Sequence, residues 1–448
     1  MKLITLEEIA QACGGEYIGD EEKKVIAVTD VVIDSRLVKK GSLFVAIRGE
    51  RTDGHLYIKN AFAAGAACAV SEERVDTDCP YILVKSSEQA IKDIAEYYRG
   101  MFDNIEVIGI TGSVGKTSTK EMIASVLSQE YTVHKTQGNF NNELGVPLTL
   151  LAMPEDTEVA VVEMGISDFG EMTRLSKMVR PTVCVLTNIG CCHLENLGDR
   201  DGVLKAKTEM FNYKADDALI FVNGDDDKLS TVQGVTAAYG LKETNDYYAE
   251  NIRNSGANSV ECTLCFGDTR LDVTIPALGN YMVANALAAT AVAKAFKMTD
   301  ESIVKGIADY TTVGSRANLI DTGIIKIIDD CYNANPTSVK AALETLCNMQ
   351  GRKVAVLGDM KELGAKEREL HEEVGRYAAQ CGVNVIITVG DLAKSIGDSA
   401  NGAEVCRFES VDDAVEEIDT ILHKGDVVLV KASHSMHFEN IVNALKEL

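Results

Sequence analysis

Apolar residues fall along this chain in short runs whose spacing alternates between strand and helix periods. Residues 1 to 84 mix β-like runs (VIAVTDVVI, SLFVAI) with an alanine-rich stretch of helical character, IKNAFAAGAACAV. A helix is expected around SEQAIKDIAEYYRG at 87–100, leading into the strand IEVIGI at 105–110. VAVVEM at 159–164, VCVLTN at 183–188 and ALIFVN at 218–223 are continuous apolar runs, the pattern of parallel strands covered on both faces. Residues 240–275 break into short alternating strands separated by Gly, Asn and Asp, which predicts an antiparallel flap on the central sheet. PALGNYMVANALAATAVAKA then reads as a loop entering an alanine-rich helix. A second series begins near 324, with IIKIIDD, KVAVLG, NVIITV and DVVLVK separated by helix-length segments. The expected fold class is therefore α/β in three domains, with YTTVGSRANLI at 310–320 as the second boundary. These are a small N-terminal α/β domain (1–84), a central P-loop-type domain with a mostly parallel sheet (85–313) and a C-terminal Rossmann-like domain (314–448).

Composition narrows the function classes. A chain of 448 residues is too long for one ordinary core, and 46% hydrophobic with 25% charged residues is ordinary globular usage. Lys plus Arg number 44 against 68 Asp plus Glu, a formal charge of −24. Such a chain repels polyanions, which argues against nucleic acid or an anionic membrane as partner. An anionic nucleotide would need local positive groups. The N-terminus has no basic run followed by an apolar one, and no apolar run approaches ~20 residues, so neither a signal peptide nor a membrane span is expected. Twelve scattered cysteines, such as Cys68 and Cys184 in apolar settings, suit a reducing compartment, and the expected location is the cytoplasm. Cys262 and Cys265 form a CxxC with no second pair at zinc spacing, which argues against a zinc site.

The strongest local signal is VIGITGSVGKTSTKEMIASVL at 107–127, a strand, a Gly-rich turn, Lys-Thr and a helix. Gly112 and Gly115 let backbone N–H groups close on phosphate oxygens at the positive end of the helix dipole. Lys116 can reach β/γ-phosphates and the Thr117 hydroxyl can coordinate Mg²⁺. The longer consensus would have glycine at 110, where this chain has Ile110. The motif implies an ATP or GTP user and says nothing of the acceptor.

The form TGSVGKTS resembles the phosphate loop of Mur ligases and folylpolyglutamate synthases. GNFNNELGVPLTLL at 138–151 and the block from VVEMGISDFG to KAKTEMF at 161–211 are similar to the Mur central domain. Asn285 in GNYMVANALAA, Arg316, IDDCYNANPTSVKAAL at 328–342 and VAVLGDMKELG at 354–364 continue the resemblance. VIDSRLVKKGSLFVAIRGERTDGH at 32–55 resembles the UDP-binding domain of tripeptide-accepting members. On these collinear blocks the chain is identified as a member of the Mur ligase family. YNANP at 332–336 and GDMKELG at 358–364 are similar to the member that adds D-alanyl-D-alanine, and the DNPR signature of the diaminopimelate-adding member does not occur.

The resemblance implies a cytoplasmic, monomeric ligase using ATP and Mg²⁺ on UDP-N-acetylmuramoyl-tripeptide and D-Ala-D-Ala. The tripeptide carboxylate would attack the γ-phosphate, and the dipeptide amine would then attack the resulting acyl phosphate. Bringing a carboxylate to a polyanion makes charge neutralisation and positioning the main catalytic tasks. Gly112, Ser113, Val114, Gly115, Lys116, Thr117 and Ser118 would cradle the phosphates, with Asn285 on adenine, Arg316 on the phosphate side and Asp330 on the ribose. Glu163 and His193 would hold Mg²⁺ with Thr117, joined by Lys207 if that lysine is carbamylated. Taken alone, an acid at a strand end is also a helix cap or surface charge, and a lone histidine is more often a satisfied polar residue. Lys205, next to Lys207, has only surface solvation to offer.

Ser35, Arg36, Asp53 and His55 are the candidates for the UDP end, although Arg36 serves equally as a surface ion pair. Asn139 and Asn142, Asn333 and Asn335, and His434 are the remaining substrate-side candidates. Two stretches depart from the family pattern. GNYMVAN stands where GxHNxxN is usual, so Tyr281 and Met282 replace hydrogen-bonding groups with a possible stacking ring. KASHSM at 431–436 stands for a KGSRSM-like stretch, with Ala432 for Gly and His434 for Arg. An imidazole in a dipeptide-facing loop predicts weaker or pH-dependent dipeptide affinity. A folylpolyglutamate-type ligase would lack residues 1–84, and a non-catalytic nucleotide binder would not be expected to keep Lys116, Thr117, Glu163, His193 and Lys207 together.

Overall fold

The continuous apolar runs become the inner strands of three main sheets in the computed structural model. It describes residues 1–49, 52–255 and 258–448, so Glu50 and Arg51 of the 32–55 segment lie outside it.

The N-terminal sheet has five strands in the order Glu16–Ile18, Tyr81–Leu83, Cys68–Ser71, Leu43–Val45, Val31–Val32, antiparallel only at the first pair. The alanine-rich run from 58 divides here, contrary to the single helix its composition suggests. Helix Ile58–Ala64 stops at Gly65, whose φ of 107° caps the helix in the left-handed region, and Cys68–Ser71 then enters the sheet as a fully buried strand. Burial between two parallel neighbours overrides helix propensity for this segment.

The central sheet has nine strands. From one edge they run Val133–Lys135, Val159–Glu163, Glu106–Thr111, Val183–Leu186, Leu219–Asn223, Ala237–Tyr239, all parallel. Tyr247–Ser255, Ser259–Phe266 and Thr269–Ile275 follow as an antiparallel meander. The expected flap is thus a direct extension of the central sheet. Cys262 and Cys265 lie three apart on one of its strands, so their side chains point to opposite faces and cannot share a metal. Helix Tyr281–Ala295 packs on this sheet with eleven buried positions, as its unbroken Ala/Val pattern requires.

The third sheet runs Asn318–Asp321, Lys326–Asp329, Val427–Lys431, Lys353–Gly358, Val385–Val389, Glu404–Phe408, parallel after the first pair. Its doubly wound core strands match the four apolar runs, while the outer strands at 318–321 and 404–408 carry exposed residues and no continuous apolar run. Among the described residues, no helix is long and apolar enough to cross a membrane.

Candidate active site

Three adjacent central strands, Val159–Glu163, Glu106–Thr111 and Val183–Leu186, end side by side, and their carboxyl ends carry the site. The strand Glu106–Thr111 turns at Gly112 into the loop that opens helix Lys116–Leu127. A Cβ on Gly112 would sit 1.9 Å from Thr187 Oγ1, so only glycine lets the loop lie against the next strand end. Gly115, at φ 83°, begins the helix in a conformation that frees its first N–H groups. The loop is pinned from the side by the TN pair. Thr187 Oγ1 and Asn188 Nδ2 donate to Val114 O at 2.6 and 3.0 Å, and Val114 N donates to Asn188 Oδ1 at 2.9 Å. Ser113 Oγ accepts from Gly190 N at 2.9 Å.

Glu163 is buried at its strand end. Thr117 Oγ1 donates to one carboxylate oxygen at 2.8 Å and Asn141 Nδ2 to the other, also at 2.8 Å. The fully buried Lys120 lies 3.9 Å from Glu163 Oε2 and donates to Thr136 O at 2.7 Å, while Glu121 pairs with it at 2.9 Å. Lys116 donates to Gly112 O at 2.8 Å, its side chain folded over the loop; burial pulls its ammonium below the usual lysine range, and Glu163 opposes that shift. Burial pulls the Lys207 ammonium down to about 8, with Lys116 adding to the shift and the Cys192 sulfur opposing it. His193, at φ 50°, places Nδ1 2.6 Å from Glu362 Oε2 of the third sheet's loops. That imidazole holds the Glu362 carboxyl below its ordinary range.

A hydroxyl and a buried carboxylate are hard oxygen donors of the kind Mg²⁺ takes. Among the described residues no three His, Cys, Asp or Glu side chains converge as a ready-made metal cluster. A metal at Thr117 and Glu163 would therefore draw further oxygens from bound phosphates.

The cleft above these strand ends has a volume of about 1110 Å³. One wall is the phosphate loop from Ser113 to Ser118 with Glu163, His193, Tyr281 and Asn285; the facing wall is Arg316, Asp330, Tyr332, Asn333 and Lys431. Asn285 Oδ1 accepts from Thr119 Oγ1 at 2.9 Å, tying the alanine-rich helix to the phosphate-loop helix. On the far wall Lys431, buried, donates to Asp330 Oδ2 at 2.6 Å and to Asn333 O at 2.9 Å. Asp330 Oδ1 accepts from Ala317 N at 3.2 Å, which sets the position of the adjoining Arg316. The Arg316 guanidinium stacks 3.9 Å from the Tyr332 ring, and exposed His434 lies on the same ring at 5.5 Å.

Several expected residues have local partners. Asn142 Oδ1 accepts from Leu144 N and Gly145 N, opening helix Gly145–Leu151. Asn335 N-caps helix Pro336–Cys347 in a reciprocal box with Ser338. Asn139 and Asn333 are exposed at the cleft's edge. The N-terminal candidates do not line this cleft. Asp34 caps the turn Ser35–Leu37, and Arg36 grips it with Nε and Nη2 at 2.9 and 2.6 Å, which takes the Asp34 carboxyl down to about 2. His55 is held on both ring nitrogens: Nδ1 lies 2.6 Å from Asp53 Oδ1, and Nε2 accepts from Glu72 N at 3.0 Å. The imidazole is therefore a brace of the N-terminal domain, with neither nitrogen free for a ligand.

Asn141, Lys120, Glu362 and Lys431 were not expected at the site. The strand-end rule applied to DVVLVK would have found Lys431. An Asx-cap reading of NNELG would have assigned Asn142 to the helix and left Asn141 to face inward. Nothing local marks Lys120 or Glu362, because their partners lie across the fold.

A phosphate loop facing a second doubly wound domain across one cleft marks the class of nucleotide-binding proteins, and comparison with known proteins narrows it to ligases. Residues 27–113 match the Mur ligase family catalytic domain, 110–293 the Mur ligase middle domain, and 315–434 the Mur ligase, glutamate ligase domain. The chain belongs to the Mur ligase family. Among its relatives, the UDP-N-acetylmuramoyl-tripeptide--D-alanyl-D-alanine ligase of Bacillus subtilis is 36% identical over 99% of this chain and 98% of its own. A crystal structure of MurF from Acinetobacter baumannii superposes with a TM-score of 0.92 at 31% identity, covering all of both chains. The MurF ligase of Thermotoga maritima in complex with ADP superposes with a TM-score of 0.84 at 30% identity, covering 93% of this chain and 97% of the other.

Proposed function

We propose that this chain joins D-alanyl-D-alanine to the C-terminal carboxylate of UDP-N-acetylmuramoyl-tripeptide, consuming ATP, as the closely similar ligases are named to do. The observation that carries the reading is the cleft itself, in which a phosphate loop and a buried acid face a wall of Arg316, Asp330 and Lys431. Proposed domain roles follow: residues 1–84 take the UDP end, 85–313 take ATP, and 314–448 take the dipeptide.

The tripeptide carboxylate attacks the γ-phosphorus, the bond to the β-phosphate oxygen breaks, and ADP leaves. The dipeptide amine then adds to the acyl phosphate carbonyl, loses a proton, and phosphate departs with the former carboxylate oxygen. Backbone N–H groups at the opening of the helix, from residues 115–118, and Lys116 hold the phosphates and offset the charge that blocks the first step. Arg316, stacked on Tyr332, meets the phosphates from the opposite wall, and Asp330 and Asn285 take the ribose and adenine ends. Closing the two walls excludes water from the labile acyl phosphate.

Thr117, Glu163, His193 and Lys207 as its carbamate are the proposed holders of Mg²⁺, which supplies charge neutralisation at the transferring phosphoryl group. Burial supports the carbamate, since an amine drawn down to about 8 has a larger neutral fraction at working pH to react with CO₂. The test is phosphate release with ATP, Mg²⁺ and UDP-N-acetylmuramoyl-tripeptide, with and without D-Ala-D-Ala and with single amino acids. Release that needs the dipeptide is expected; release driven instead by glutamate or a diamino acid overturns the proposal. Lys207→Ala is expected to lose turnover, and full activity in that variant would remove the carbamate from the mechanism.

A further inference from the structure

His193 and Glu362 form an unusual pair. Theirs is the one acid–base side-chain contact among the described residues that joins the central domain to the third, with Nδ1 and Oε2 2.6 Å apart. Both residues lie in the left-handed region, at φ 50° and 64°, a conformation that non-glycine residues hold only when their surroundings impose it. The two supports differ. His193 stands in the loop before the single-turn helix Leu194–Leu197, with no side-chain cap to fix it. Glu362 stands on a braced loop. Met360 N donates to His371 Nε2 at 2.9 Å, Lys361 N donates to Ser433 Oγ at 2.9 Å, and Lys361 Nζ donates to Asp359 Oδ2 at 2.7 Å. Asp359 Oδ1 in turn accepts from Ala393 N at 2.9 Å. At the loop's end, the space a Cβ on Gly364 would fill lies 3.3 Å from the Glu195 backbone, so the third domain presses directly on the His193 loop.

We infer that Glu362 is a positioning residue for the ligase reaction: it aims the His193 imidazole into the cleft, and does so only while the third domain is closed on the central one. A carboxylate at Nδ1 fixes the orientation of the ring and leaves Nε2 to face the cleft that His193 lines. Withdrawing the third domain withdraws Glu362, and the ring of a loop residue is then free to turn. The chemistry on the central domain is thereby linked to the seating of the domain proposed to carry the dipeptide. This inference rests on the ligase reading above and on His193 being a metal-side group.

The experiment uses the full-length chain with ADP. Mn²⁺ binding is followed by electron paramagnetic resonance, and the radius of gyration by small-angle scattering, in wild type, His193→Ala, Glu362→Ala and Glu362→Asp. Glu362→Ala is expected to weaken Mn²⁺ binding by about tenfold or more, approaching His193→Ala, and to enlarge the particle. Glu362→Asp is expected to recover part of both, and kcat is expected to fall in Glu362→Ala while KM for ATP holds. Unchanged Mn²⁺ affinity in Glu362→Ala overturns the inference, even if the particle expands. An aspartate no better than alanine overturns it as well. Glu362 is mostly exposed, so the variants are expected to unfold at the wild-type temperature; if alanine does not, Glu362→Gln, which keeps the side-chain volume, is read in its place. The Mn²⁺ titration needs neither peptide substrate, so its failure removes only the positioning role. Absence of dipeptide-dependent phosphate release from wild type removes the ligase reading.

Discussion

Asn141 shows how one side chain sets the character of its neighbour. Glu163 is buried with an oxygen toward Thr117 and an oxygen toward Asn141, so its carboxylate plane is held before any ligand arrives. A carboxylate without such donors would be free to rotate. Asn141→Ala is therefore expected to raise the Mg²⁺ concentration giving half-maximal turnover by about tenfold, with little change in thermal stability. A Mg²⁺ titration of activity with an unchanged midpoint would contradict this. The pattern of the neighbouring residues explains why Asn141 is hidden in sequence: three asparagines lie within four positions, and only the fold decides which one turns inward. His55 teaches the converse lesson. A histidine in a recognisable motif looks available for a ligand, yet the neighbouring Asp53 and the more distant Glu72 backbone occupy both its nitrogens.

At the scale of elements, two histidines join segments and bear on pH stability. His134, on the edge strand Val133–Lys135, contacts Thr149 O at 2.8 Å, and His371, in helix Glu367–Gln380, accepts from Met360 N while Nδ1 faces Glu367 O. Burial pushes both imidazoles below their ordinary value of 6.5, so both are neutral in the fold. The unfolded chain takes up protons first as pH falls, so the stability these groups contribute is complete above about pH 6.5 and declines below it. The depressed carboxylates Glu143, Glu362 and Asp34 act only below their own ordinary values of 4.5 and 3.8, leaving the interval from about pH 6.5 to 5 to the histidines. Denaturant midpoints should therefore fall between pH 7 and about 5.5 in the wild type, and fall less in His134→Gln/His371→Gln. An equal fall in both would show that other groups control the acid limb.

Elements were legible where pattern and environment agree. The phosphate-loop strand and the four core strands of the third sheet carry continuous apolar runs because both faces are covered. The strand Cys68–Ser71 was hidden within an alanine-rich run, because what makes it a strand is its pair of parallel neighbours, far apart in sequence.

For the whole molecule, charge and architecture pull in different directions. Against a net charge of −24, the cleft gathers local cations: Lys116 on one wall, Arg316 and the Asp330-paired Lys431 on the other. The long-range field remains repulsive to an approaching anionic substrate. At saturating ATP and Mg²⁺, kcat/KM for UDP-N-acetylmuramoyl-tripeptide should rise a few-fold as salt is raised from about 20 to about 150 mM, because screening shortens the range of that repulsion. A steep fall over the same range would mean that the cleft's local cations control encounter.

The linear chain by itself determined the α/β class, the number of doubly wound units and the phosphate loop, since these follow from hydrophobic period and from glycine and lysine within a dozen neighbouring positions. Local chemistry is enough for such features. The two-walled cleft, the Asn141 support of Glu163, the Lys431–Asp330 pair and the His193–Glu362 bridge were decided only by tertiary structure. Each joins residues separated by 22 to 169 positions, and the direction of a side chain across that distance depends on how sheets and helices pack.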